Sequence, residues 1–72
     1  MAIYRDEVLI NKVIAKLDKL REEKGLTMQE LYNDTNVHFA RIKSEKRDIS
    51  ISNLKVLCKY FDLTLSEFLK GM

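Results

Sequence analysis

Proline is absent from this chain, and glycine occurs only at Gly25 and Gly71. No linker, internal repeat or low-complexity segment is therefore visible. The one cysteine, Cys58, excludes an internal disulfide and fits a reducing cytosol. The one histidine, His38, stands twenty residues from Cys58. With no metal-ligand cluster, glycine-rich phosphate loop or triad, neither catalysis nor a metal or cofactor is expected. No apolar run exceeds the four residues Met1–Tyr4. No membrane span is expected, no signal peptide is visible, and a cytoplasmic location is the expectation.

What is present is a helical pattern. Apolar residues make up 46% and charged residues 33%, the balance of a folded soluble protein rather than a disordered one. Seventy-two residues are expected to form one domain. A core of that size gives only a few kcal/mol of net stability, so support from oligomerisation is expected. β-Branched residues are scattered rather than alternating, which argues for an all-α fold, a compact bundle of five helices.

The first helix is expected over about residues 7–24. Ile10, Val13, Ile14, Leu17 and Leu20 recur at three- and four-residue steps on one face, with Lys12, Lys16, Lys19 and Glu23 on the other. Lys24 suits the negative end of the helix dipole, and Gly25 can take the left-handed position after it. A second helix starts at Thr27, because Thr27-Met28-Gln29-Glu30 reads as a capping box. Met28, Leu31 and Tyr32 are expected to face inward. The polar stretch Asn33–Asn36 is rich in turn formers. A third helix covers about residues 38–44, with Phe39 and Ile42 inward and Arg41 and Lys43 therefore outward. The fourth begins after Ser50 and runs to about Phe61, with Ile51, Leu54, Leu57, Cys58 and Phe61 as its apolar stripe. Cys58 is core filler on that stripe. A second capping box, Thr64-Leu65-Ser66-Glu67, opens the fifth helix before Phe68 and Leu69.

Charge is distributed unevenly. Residues 41–47 carry Arg41, Lys43, Lys46 and Arg47 against Glu45 alone, while the rest of the chain has nine Lys/Arg and ten Asp/Glu. A nearly neutral protein thus gathers its positive charge at one helix end and the loop that follows. That is the electrostatic footprint of a module presenting a helix to nucleic acid, although a charged solvated loop would look the same.

Two short helices joined by a tight break form a helix-turn-helix unit. From Leu26 to Phe68 the sequence resembles the Cro/repressor-type (XRE-like) helix-turn-helix domains. The resemblance is carried by G-L-T-M-Q-E-L at 25–31, R-I-K-S-E-K-R-D-I-S-I-S-N-L at 41–54 and L-T-L-S-E-F at 63–68. Members commonly read LTQ-x-x-L, then R-I-E-x-G-K-R-x-P-S-L-x-x-L, then an ending like V-S-L-x-E-L. Three departures stand out. The stretch between Leu31 and Phe39 is about three residues short, close to one helical turn. A turn at Asn36-Val37 with the third helix starting near His38 absorbs this, since Asn tolerates the left-handed region; a register with Thr35 as the N-cap is the competing arrangement. The family's helix-2 glutamine aligns with Met28. Glu45 and Ile49 replace the usual Gly and Pro after the third helix, so strained angles at Ser44-Glu45 or a longer helix are expected there.

The resemblance implies a lambda-repressor-like fold and a transcriptional regulator binding duplex DNA by sequence. Phage-type repressors, restriction–modification controllers and antitoxin-like autoregulators all fit. It implies base-edge contacts from Arg41, whose planar fork can donate twice to guanine, and from Asn36 and His38. Phosphate contacts are implied for Thr27, Gln29, Thr35, Lys43, Ser44, Lys46 and Arg47. One such unit covers few base pairs, so a homodimer on an inverted repeat is implied. Its interface is expected to draw on Phe61, Leu63, Leu65, Phe68 and Leu69. The N-terminal residues 1–8 are expected either to extend the first helix or to form an arm around the partner. No small-molecule effector is evident. A helical interaction module that kept the fold and lost the DNA face is the alternative reading.

Overall fold

The computed structural model describes residues 6–72, and among them it contains five helices and no strand. They are α1 (Glu7–Glu23), α2 (Met28–Thr35), α3 (Phe39–Glu45), α4 (Ile51–Tyr60) and α5 (Leu65–Leu69). The expected arm, with Ile3 and Tyr4, lies outside the described residues. Val8 sits in the first turn of α1 and is exposed.

Each helix starts where a side chain can satisfy its free amides. Asp6 accepts from the Leu9 amide to open α1, and Ser50 accepts from the Asn53 amide to open α4. Both capping boxes form, Thr27 with Glu30 at α2 and Thr64 with Glu67 at α5. At α5, the bond to the Thr64 amide holds the Glu67 carboxyl below its usual range. Such caps contribute about 1 kcal/mol each. They matter most at α5, whose five residues are too few to be helical alone. α1 ends at Lys24, and Gly25 turns the chain with a φ of 66°.

Between α2 and α3 the chain turns at Asn36 (φ 61°, ψ 20°), whose amide donates to the Tyr32 carbonyl. His38 then precedes the first helical residue, Phe39. The register with Asn36 in the turn is the one adopted, and Thr35 ends α2 rather than opening α3. This turn swings Val37 into the core at 5% exposure, a position that periodicity did not mark. α3 runs one residue beyond the expected boundary, through Glu45. The left-handed residue is Lys46 (φ 50°), not Ser44 or Glu45. A lysine there is disfavoured by roughly 1 kcal/mol relative to glycine.

The core joins Ile10, Val13, Ile14 and Leu17 of α1 to Leu31 of α2, Phe39 and Ile42 of α3, Leu54, Leu57 and Cys58 of α4, and Phe68 of α5. Burial pushes the Cys58 thiol above its ordinary range, as expected of core filler. Leu20, Met28 and Tyr32 are half-buried. Ile51 departs from expectation: it stands at the first turn of α4 and is 74% exposed. Phe61 and Phe68, expected at a subunit interface, are instead buried in the monomer, Phe68 completely. Burial of a phenylalanine side chain stabilises by roughly 2–3 kcal/mol, which is what docks so short a helix. Lys16 secures it further by donating to the Phe68 carbonyl (2.7 Å) with its ammonium 5.1 Å from the ring centre.

Candidate nucleic-acid interface

The surface built by α2, α3 and the loop after α3 carries the residues the sequence singled out. Because Phe39 and Ile42 are buried, the residue between them on the opposite side, Arg41, projects outward with its side chain 64% exposed. Its Nε lies 3.5 Å from Glu45 one turn on, and Arg47 pairs with the other oxygen of the same carboxylate. Glu45 therefore bridges the two exposed guanidiniums. This arrangement follows from the extra α3 residue and was not expected.

Lys43 points elsewhere. Its ammonium donates to Asp18 of α1 at 2.7 Å. Asp18 also accepts from Arg21 Nε and Nη2, and Arg21 donates in turn to the Leu26 carbonyl. The carboxyl of Asp18 is held below its usual range, first by the Lys43 hydrogen bond and then, against partial burial, by Arg21. Lys43 is thus a brace between α3 and α1. Sequence distance hid this pair, since the partners are 25 residues apart.

The hydroxyls divide by whether their proton is committed. Thr35 donates to the Leu31 carbonyl (2.7 Å) and accepts from the Val37 amide (3.2 Å), so it has no proton to offer a phosphate. It builds the turn. Thr27 uses its oxygen as an acceptor for the Glu30 amide and keeps its proton. Ser44 lies 3.3 Å from the Arg41 carbonyl, a long bond at an exposed site. Gln29 donates to Asn33 (2.9 Å) on the exposed side of α2. Asn36 and Lys46 are both exposed in left-handed turns.

His38 is exposed at the start of α3 and makes no side-chain cap. Its ring stacks on Tyr32 of α2, with centroids 3.9 Å apart and planes at 27°. A second tie holds α2 in place: the Tyr60 hydroxyl donates to Asp34 at 2.6 Å. That bond is the main reason the Tyr60 phenol is pushed above its ordinary range. The two-helix unit is therefore tied to α1 by Lys43–Asp18 and to α4 by Tyr60–Asp34, and Arg41 is left exposed on α3.

Residues 16–70 match the model of the Cro/C1-type HTH DNA-binding domain. The chain belongs to that family. No curated protein and no solved structure matches it. In this Cro/C1-type domain, α2 and α3 are the helix-turn-helix pair, and DNA is the partner that the family supports. The fold expected from the resemblance is the fold observed. No helix among the described residues is long and apolar enough to cross a membrane, and no three of their His, Cys, Asp and Glu side chains form a metal-binding group.

Proposed function

We propose that this Cro/C1-type domain is a sequence-specific transcriptional regulator that acts as a homodimer on an inverted-repeat operator. The observation that carries the reading is Arg41, 64% exposed on α3, with the cationic loop of Lys46 and Arg47 following the helix. α3 enters the major groove, and Arg41 donates its fork to a guanine edge. Lys46, Arg47, Thr27 and Gln29 bind phosphates and set the register. Asn36 and His38 lie at the leading end of α3 and face the neighbouring bases. Lys43 and Thr35 support these contacts from behind. With Phe61 and Phe68 inside the monomer, the dimer surface consists of the more exposed apolar residues of the C-terminal segment, Leu63, Leu65 and Leu69.

Glu45 supports a second reading, that of an interaction module. It occupies both exposed guanidiniums and leaves less free positive charge than the sequence promised. A salt titration on random duplex separates the two. A DNA binder loses affinity steeply as salt rises, with a log–log slope of about −0.9 per phosphate contacted. Absence of binding at low salt favours the interaction module. Arg41→Ala should then relax sequence preference, whereas Lys46→Ala should weaken all sequences alike. Equal losses on selected and random DNA for both variants would remove Arg41 as the reader.

A further inference from the structure

Between the first half of α1, the start of α4 and the end of α5 lies a groove of about 230 Å³. Its walls include Leu9, Ile10 and Val13 of α1, Ile51 and Leu54 of α4 and Leu69 of α5. Apart from Asp6, Arg47 and Asp48, every described residue that lines it is apolar, and those three are exposed. Leu9 and Ile51 remain 40% and 74% exposed although both belong to this apolar lining. The described residues begin at Asp6, which itself lines the groove. Asp6 caps α1 with non-helical backbone angles (φ −91°, ψ 88°), so the helical path ends there. Ahead of it in the sequence stands Met1–Tyr4, the longest apolar run of the chain.

We infer that this groove seats the chain's own N-terminal segment, with the Tyr4 ring packed between α1 and Ile51. The reach is short, because two residues of chain span at most about 7 Å and Asp6 already lines the groove. Ile10 is the fourth residue of α1, the position against which an apolar residue ahead of the N-cap packs as a hydrophobic staple. The residue directly before the cap is the cation Arg5, so the staple falls to Tyr4. Size agrees, since an apolar cavity of about 150 Å³ takes up a benzene ring. Chemistry agrees as well: tyrosine joins an apolar body to a polar tip, and the exposed Arg47 and Asp48 offer its hydroxyl charged partners. An arm from a second copy would fill the same groove only at the entropic cost of association, whereas the chain's own segment is tethered at its edge. The sequence left this segment either to lengthen α1 or to embrace a partner; the groove gives it a place within the monomer.

The test uses the full chain, isotope-labelled and mixed with an equal amount of unlabelled protein, and reads nuclear Overhauser contacts. The Tyr4 ring protons should contact the methyl groups of Leu9 and Ile51 within labelled molecules. Absence of these contacts, contacts only between labelled and unlabelled copies, or amide contacts that continue α1 through Tyr4 would each overturn the inference. In urea denaturation, Tyr4→Ser should raise the unfolding constant about tenfold, the effect of exposing one large apolar side chain. In an Ile51→Ser background, which removes one wall at an exposed position, the same substitution should cost about threefold or less. No change for Tyr4→Ser, or an equal change in both backgrounds, would overturn the inference while leaving the DNA-binding reading intact.

Discussion

Replacing Glu45 by Gln should strengthen DNA binding. In the free protein the Glu45 carboxylate pairs with Arg41 and Arg47, and all three groups are well exposed. Exposed pairs of this kind contribute about 0.2–1 kcal/mol each. In the proposed complex both guanidiniums turn to the duplex, and the carboxylate remains near the phosphates. A phosphate about 8 Å away is repelled by about 0.5 kcal/mol at the dielectric of water. The two pairs and the repulsion together amount to roughly 1–2 kcal/mol, or a gain of roughly five- to thirtyfold in affinity at low salt. The gain should shrink as salt rises, because every part of it is screened. Stability should change by less than about 0.5 kcal/mol, since the lost pairs are offset by removing a negative charge from the C-terminal turn of α3. Fluorescence anisotropy on random and selected duplexes, over a range of salt, measures the effect. An unchanged or weaker affinity for Glu45→Gln at low salt would show that the carboxylate orders the two arginines for DNA instead of competing with it.

Asp18→Asn should destabilise the protein by about 1 kcal/mol at pH 7. The folded carboxyl is held below its ordinary value, so its contribution is complete above about pH 4 and lost as pH falls through the depressed value. Urea denaturation should therefore show the difference between the two proteins shrinking as pH falls below the ordinary carboxylate range, and a constant difference would contradict the brace. Lys46→Gly should relieve the left-handed backbone and raise stability by about 0.5–1 kcal/mol. It should also reduce the salt slope on random duplex by about 0.9, and an unchanged slope would take Lys46 out of the phosphate contacts. Leu69→Lys should leave the circular dichroism spectrum unaltered and convert the proposed homodimer to monomer in sedimentation equilibrium; a dimer that persists would move the interface away from α5.

The five helices were legible because their signals are local. Capping boxes at Thr27 and Thr64, the N-cap at Ser50 and the stripe from Ile10 to Leu17 each act within four residues, and each is found where the sequence placed it. Asn36 was legible as the turn because few side chains tolerate its backbone angles. Ile51 was misread, since periodicity assigns a face but not the depth of the layer that covers it. Phe61 and Phe68 were misread for a related reason: an apolar side chain near a chain end looks the same whether it meets its own core or another subunit.

The sequence by itself determined the helical elements, the outward direction of Arg41 and the family, because each depends on neighbours three or four residues away or on short motifs in order. Tertiary structure alone decided which side chains pair across the fold. Lys43 turns to Asp18 across 25 residues, Tyr60 ties Asp34 across 26, and Lys16 holds Phe68 across 52. An ion pair or hydrogen bond forms only at contact distance, and no pattern along the chain states which distant residues the folded core brings together.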